Sequence, residues 1–485
     1  MSALFSALFP WLLTALVLAA AYPWAAWALA RAPQRAGLAL TLCLALVLSV
    51  GALTQVMLWQ SALGLPFDLW GVTLPYLALM LPGWALWRRA RLPLPRWTRP
   101  RGALAWTTLA VCALVGAAVL LNAVYWPFSR EDALGIYNHF GVWMYDHRAV
   151  APLAGAATLY EAYPVLVPLT YTYAYLASGW QNEYLARLFP ALLSVGCLPA
   201  AYVLGRVVGR PAAGWLAALL LALTPLFGAW ASAGSVDLPM AFFYTLGALF
   251  AWRLWQHNAP ADALLAGAAL GLAAWTKNAA LVGALALGVW LAWGWLRGRI
   301  APRQALLALL ALLLLAAPWY ARSLINAGML IAPTVWVERA APTLANLLVL
   351  AWHPDRFGIT GPLALMGAAA SLWALLRRAP DAAAHGLLLL WTVPYFAAWW
   401  LLASYDTRFV LLFLPPLTAL TGIWLARAWD ALPPGWQRRA ALPLALLALL
   451  LALPNAWRSL EHKDTLLSDP LMAHAAKVEQ VRGEP

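Results

Sequence analysis

The chain has 485 residues, 64% of them hydrophobic and only 10% charged, with a mean hydropathy of +0.74. A soluble domain is about half apolar and about a quarter charged, so this composition excludes a soluble enzyme and predicts an all-α polytopic membrane protein. The formal charge of +13 is accounted for by membrane sidedness, developed below, without invoking nucleic acid.

Taken in chain order, apolar runs of near-spanning length begin with residues 3–30, 37–60, 70–87 and 103–126. The first lacks a basic leader and a small-residue cleavage site, so it reads as a retained helix and not a removed signal peptide. A long polar segment covers residues 127–187. Inside it, 163–178 is apolar but bracketed by polar sequence, which predicts an interfacial or re-entrant helix. Six runs follow at 188–204, 211–227, 238–255, 263–275, 279–296 and 304–318, then a second polar segment over 319–357. Runs at 358–376, 384–403, 409–426 and 440–453 complete fourteen candidate spans of a helical bundle. The 263–275 run is short, since a span takes about 20 apolar residues. Residues 455–485 read as a short polar tail, amphipathic or disordered. Cys43, Cys112 and Cys197 all lie in apolar runs and form no disulfide framework. The 31 tryptophans suit interfacial belts.

Charge orients these spans. Alternate connectors hold 19 of the 31 basic residues, including the six arginines from Arg88 to Arg101, with only Asp262, Asp381 and Asp430 among the acids. The positive-inside rule puts those connectors in the cytoplasm. Both long polar segments and the tail then face outward across a plasma (inner) membrane.

Ionisable groups at a membrane are costly and are functional candidates by default. Here they gather on the outward face: Glu131, Asp132 and Glu161 in the first polar segment, Arg187 and Asp237 at helix ends, and Lys277, Arg322, Asp406 and Arg408 further on. Ser129-Arg130-Glu131-Asp132, followed by Tyr137, Phe140, Trp143 and Tyr145, is the sharpest local feature. One reading makes Asp132 or Glu131 a general base. The plainer reading is a capping box, with Ser129 and Asp132 three residues apart at a helix start. The seven histidines show no ligand-spaced cluster, so no metal site is expected.

An external loop opening with an acidic pair and leading to a Tyr-Pro-rich helix resembles the GT-C class of membrane glycosyltransferases. The branch it is most similar to holds the protein O-mannosyltransferases and the lipid A aminoarabinose transferases. Further matches come in order: Tyr160-Glu161-Ala162-Tyr163-Pro164, Arg187-Leu188, Gly205-Arg206, Ser235-Val236-Asp237-Leu238-Pro239, Trp275-Thr276-Lys277 and Thr407-Arg408-Phe409. The family commonly shows Asp-Glu where this chain has Glu131-Asp132, which leaves open which carboxylate acts.

The resemblance implies an inverting transfer of a sugar from a polyprenyl-phosphate donor to a glycan, lipid or protein acceptor, without cofactor or divalent metal. It makes Asp132 or Glu131 catalytic, and Lys277, Arg408, Asp237, Glu161, Tyr163, Arg187 and Arg322 substrate-binding. It also divides the chain into a three-helix extension (1–102), a catalytic membrane domain (103–454) and the tail. Two other classes compete. A transporter or lipid flippase predicts ionisable residues near helix midpoints, and a polysaccharide polymerase or ligase predicts a site in a large late loop.

Overall fold

In hydrocarbon a backbone must satisfy its own hydrogen bonds, which leaves a chain this apolar and this long little choice but helices. The computed structural model describes residues 2–30, 37–92, 99–150, 163–331 and 337–483, and no strand occurs among them. The first four helices are α1 (Ser2–Ala20), α2 (Tyr22–Ala30), α3 (Leu38–Ala62) and α4 (Leu69–Arg89). After α5 (Ala103–Tyr125) come a π-helical turn (Ala133–Asn138), α6 (His139–His147), α7 (Leu166–Ser178) and α8 (Glu183–Val208). The middle of the chain forms α9 (Pro211–Leu223), α10 (Pro225–Ala231), α11 (Asp237–His257), α12 (Pro260–Thr276), α13 (Leu281–Leu296) and α14 (Pro302–Ala327). Two single turns, α15 (Leu344–Leu347) and α16 (Val349–Trp352), precede α17 (Thr360–Leu376), α18 (Ala382–Leu390) and α19 (Val393–Leu402). A 3₁₀ segment (Thr407–Phe413) runs into α20 (Leu414–Ala431), followed by α21 (Pro434–Arg458), α22 (Lys463–Ser468) and α23 (His474–Arg482).

Ten helical segments are long and apolar enough to cross a bilayer, and the bent pair α9–α10 makes an eleventh if counted as one span. The other three expected spans are helical as α11, α12 and α17 but do not meet that standard. The latter two have 17 residues each, and α11 carries Asp237, Arg253 and His257. The 68° bend between α9 and α10 falls at Thr224-Pro225. Proline removes a ladder donor there, and Thr224 Oγ1 donates back to Leu220 O at 2.8 Å.

The core is built on α11, buried from Asp237 to Leu254 and packed between α8, α12 and α20. Small residues allow close helix approach: a Cβ at Gly267 would run into the carbonyl oxygen of Ala308, so α12 and α14 nearly touch backbone to backbone. The segment expected as an interfacial or re-entrant helix is helical as α7, and it is buried from Leu166 to Ala177 among α1, α3, α6 and α8. The first four helices join the bundle through polar contacts. Thr73 Oγ1 lies 3.1 Å from Tyr173 OH, and Gln55 donates to Leu315 O at 3.1 Å.

Connectors segregate to the two ends of the bundle. At one end Arg210 pairs with Asp430, Arg427 with Asp381, and Asn258 accepts from the Ala301 amide. At the other, Asp132, Asp237, Lys277 and Arg408 meet. On the positive-inside rule the first end is expected to be the cytoplasmic one. A membrane-impermeant thiol reagent applied from outside should therefore label Asp146→Cys and spare Arg299→Cys, both exposed positions. The reverse pattern would invert the orientation.

Candidate active site

An antiparallel helix pair sets the first contact. From Asp237, α11 descends to His257, and α12 returns from Pro260 to Thr276, which brings Lys277 back to the level of Asp237. Lys277 leaves the helix in an extended conformation (φ −160°, ψ 142°). Its Nζ donates to Asp237 Oδ1 at 2.7 Å. Ser235 Oγ donates to the other carboxylate oxygen at 2.7 Å, so the buried carboxylate is held on both sides.

The 3₁₀ segment before α20 supplies the second cation. Asp406 caps it by accepting from the Arg408 amide at 2.8 Å, which turns the guanidinium inward. Arg408 Nη2 lies 2.6 Å from Asp132 Oδ2, and its Nε lies 3.4 Å from Asp237 Oδ2 and 3.6 Å from Asp406 Oδ2. Asp237 is thus shared by two cations, while Asp132 beside them is about one-third exposed. Trp230 of α10 lies under the Arg408 guanidinium at 4.8 Å and also under Arg130 at 5.4 Å. Phe409 lies under Lys277 at 4.6 Å. Cations over aromatic faces are stabilised by the ring quadrupole. Burial, reinforced by the Asp237 and Asp132 carboxylates, pushes the Tyr137 phenol well above its usual pKa. It therefore stays protonated beside the cluster, as a donor.

The expected site residues divide as follows. Asp132, Asp237, Lys277 and Arg408 converge. Glu131 is exposed on the same turn, and Tyr163 lies within electrostatic reach of Tyr137. Glu161 falls outside the described residues. Arg187 is fully buried and does not take the substrate-facing place suggested for it. Its guanidinium donates to the carbonyls of Trp126 (2.7 Å), Pro127 and Ser232 (2.7 Å). Arg322 lies over the Trp319 ring at 5.0 Å, on a helix whose Tyr320 donates to Ala274 O and approaches Asn278, next to Lys277.

The capping box does not form. Asp132 makes no side-chain cap bond, and Ser129 Oγ donates instead to Glu461 at 2.8 Å. That frees Asp132 for Arg408. Sequence reasoning missed Trp230, read as a membrane-belt residue, and Glu461, read as part of a polar tail. Only the Trp-Ala-Ser-Ala-Gly-Ser break before Asp237 hinted at the first. Among the described residues no group of three or more His, Cys, Asp or Glu side chains is arranged to hold a metal ion.

Residues 164–321 match the dolichyl-phosphate-mannose-protein mannosyltransferase family, a stretch that includes Asp237 and Lys277 but not Asp132 or Arg408. No curated protein matches the sequence. Among solved structures, ArnT from Cupriavidus metallidurans bound to undecaprenyl phosphate aligns over 72% of this chain and 63% of its own, at 20% identity and TM-score 0.51. The oligosaccharyltransferase AglB from Archaeoglobus fulgidus, in complex with an inhibitory peptide and a dolichol-phosphate, aligns over 78% and 60%, at 14% identity and TM-score 0.51. The same archaeal enzyme with Zn and sulfate aligns over 77% and 56%, at 15% identity and TM-score 0.51. The chain thus spans about 60% of the length of the structures it matches, and its membrane bundle has the fold of the GT-C class of glycosyltransferases.

Proposed function

We propose that the chain moves a sugar, with inversion, from a polyprenyl-phosphate carrier to an acceptor hydroxyl at the extracytoplasmic membrane face. The observation that carries this reading is the convergence of Asp132, Asp237, Lys277 and Arg408 from four separate parts of the chain at one end of the bundle. A transporter reading would need such groups near helix midpoints, along a path through the membrane.

The chemistry follows from the charges. The acceptor oxygen attacks C1 of the sugar as its proton passes to the Asp132 carboxylate. The C1–oxygen bond to phosphate breaks with its electron pair, leaving a polyprenyl phosphate that needs cations more than it needs an acid. Lys277 uses one of its N–H donors on Asp237 and retains others, since an ammonium has three. Arg408 pairs with Asp132 through Nη2, while its Nε lies 3.4 Å from Asp237 without a hydrogen bond, which leaves donors of its fork for a phosphate oxygen. A bound phosphate competes with Asp132 for this guanidinium, so donor binding and release of the carboxylate are linked. ArnT bound to undecaprenyl phosphate and AglB bound to dolichol-phosphate share this fold, which supports a lipid phosphate as the donor's leaving group.

Two sets of variants test the assignment. Asp132→Asn should lower transfer by about 10²–10⁴-fold, the usual effect of losing a general base, while Glu131→Gln keeps partial activity. Near-normal turnover in Asp132→Asn would refute the base. Lys277→Ala and Arg408→Ala should each weaken binding of undecaprenyl phosphate and slow transfer together, because the phosphate charge is present in the bound donor and grows on departure. Lys277→Arg keeps the charge and should retain part of both. Unchanged affinity in both alanine variants, or complete loss of activity on chelation, would refute a metal-free cation clamp.

A further inference from the structure

Beyond α21 the chain returns across the outward end of the bundle. Glu461 is its most engaged residue, with a carboxylate only 12% exposed. Oε2 accepts from Ser129 Oγ at 2.8 Å and faces Arg187 Nη2 at 3.4 Å, while Oε1 faces Arg130 Nε at 3.3 Å. Its backbone N–H donates to Asn122 Oδ1 at 2.7 Å. Burial alone would raise its pKa, but Arg187, Ser129, Arg130 and Asn122 hold it below the usual glutamate value. The carboxylate is therefore charged at neutral pH.

The contacts fall on the residues that lead into Asp132. Arg187, paired with Glu461, holds the carbonyls of Trp126 and Pro127. The Phe128 amide donates to Glu183 at 2.8 Å, and the Phe128 carbonyl accepts from Arg482 at 3.2 Å. Arg482 in turn pairs with Glu183. Between these anchors, Tyr125 OH donates to Asp469 O at 2.9 Å, Tyr184 OH lies 2.7 Å from His474 Nδ1, and Lys477 sits 3.6 Å over the Tyr125 ring. From Trp126 to Arg130 every residue is thus fixed by a charged side chain, and two of those four charges, Glu461 and Arg482, lie beyond α21. Asp132 is the second residue after Arg130.

We propose that the segment 459–482 is a strap that fixes the Asp132 loop, and that Glu461 is its positioning residue: it sets where Asp132 meets Arg408 without touching either. The strap itself stands on geometry, while its effect on turnover rests on the reading of Asp132 as the base. A displacement of about 1 Å at a reacting group can cost on the order of 10²-fold in rate, so loosening the loop should show in turnover more than in donor affinity.

The test uses the full chain in lipid nanodiscs, with amide hydrogen exchange over 126–132, undecaprenyl phosphate as the binding probe, and transfer turnover. Glu461→Ala should speed exchange in that peptide by about tenfold or more, as expected when bonds to a charged group are lost, with the peptides of α11 and α20 unchanged. Undecaprenyl phosphate affinity should stay within about twofold while turnover falls by about 10–10²-fold, and Glu461→Asp should recover part of it. Unchanged exchange over 126–132, or an affinity loss as large as the turnover loss, would overturn the strap. Should Glu461→Ala fail to fold, Ser129→Ala decides: faster exchange confined to 126–132 supports the proposal, and unchanged exchange refutes it. A wild-type chain with no transfer activity would count against the enzymatic reading alone, since the exchange arm still decides the strap.

Discussion

The end of this bundle where Asp132 and Arg408 meet depends on one carboxylate. Asp237 is buried, and ionised groups in such places cost several kcal/mol unless fully compensated. Compensation comes from Ser235, Lys277 and Arg408 together. Because the two cations arrive from the end of α12 and from the approach to α20, satisfying Asp237 ties the α11–α12 pair to the distant α20 segment at one level. Everything else there is arranged around the result: Trp230 and Phe409 supply aromatic faces to the cations, and Arg408 extends its remaining side to Asp132.

Two buried arginines at this end have different work because their partners differ. Arg187 is surrounded by backbone carbonyls and Glu461, all interior, so its charge organises chain. Arg408 is surrounded by carboxylates, two of which, Asp132 and Asp406, are about one-third exposed. An arginine held by carbonyls has nothing to exchange, whereas one held by an exposed carboxylate can trade that partner for a phosphate. That contrast separates scaffold from chemistry more clearly than burial does.

Sequence reasoning reached the helical bundle and the alternation of basic connectors, and it put Asp132, Asp237, Lys277 and Arg408 among the charges gathered at one end, because each leaves a local trace. Apolar runs have a length, arginines a periodic placement, and an acid or base at the end of an apolar run has a level. What it could not reach depends on partners far away. Ser129 has the spacing of a capping residue, yet its bond is to Glu461, 332 positions on. Arg187 looks like other outward-facing cations until the carbonyls of Trp126 and Ser232 close around it. The helix α7 reads as interfacial or re-entrant from its polar flanks, and its cover by α1 and α3 comes from a part of the chain whose position no local pattern reveals. The same holds for α12 and α17, whose 17 residues each fall short of a full span, so their place in the bundle is set by their neighbours more than by their own length.

The central claim is that Lys277 and Arg408 receive a lipid phosphate beside Asp132. The most direct measurement is an experimental structure of the chain with undecaprenyl phosphate bound in a lipid nanodisc. The account predicts phosphate oxygens at about 2.7–2.9 Å from Lys277 Nζ and the Arg408 guanidinium, the usual range for charge-assisted bonds, with the Asp132–Arg408 contact lengthened. A phosphate bound elsewhere on the bundle, with the four side chains unchanged, would contradict it.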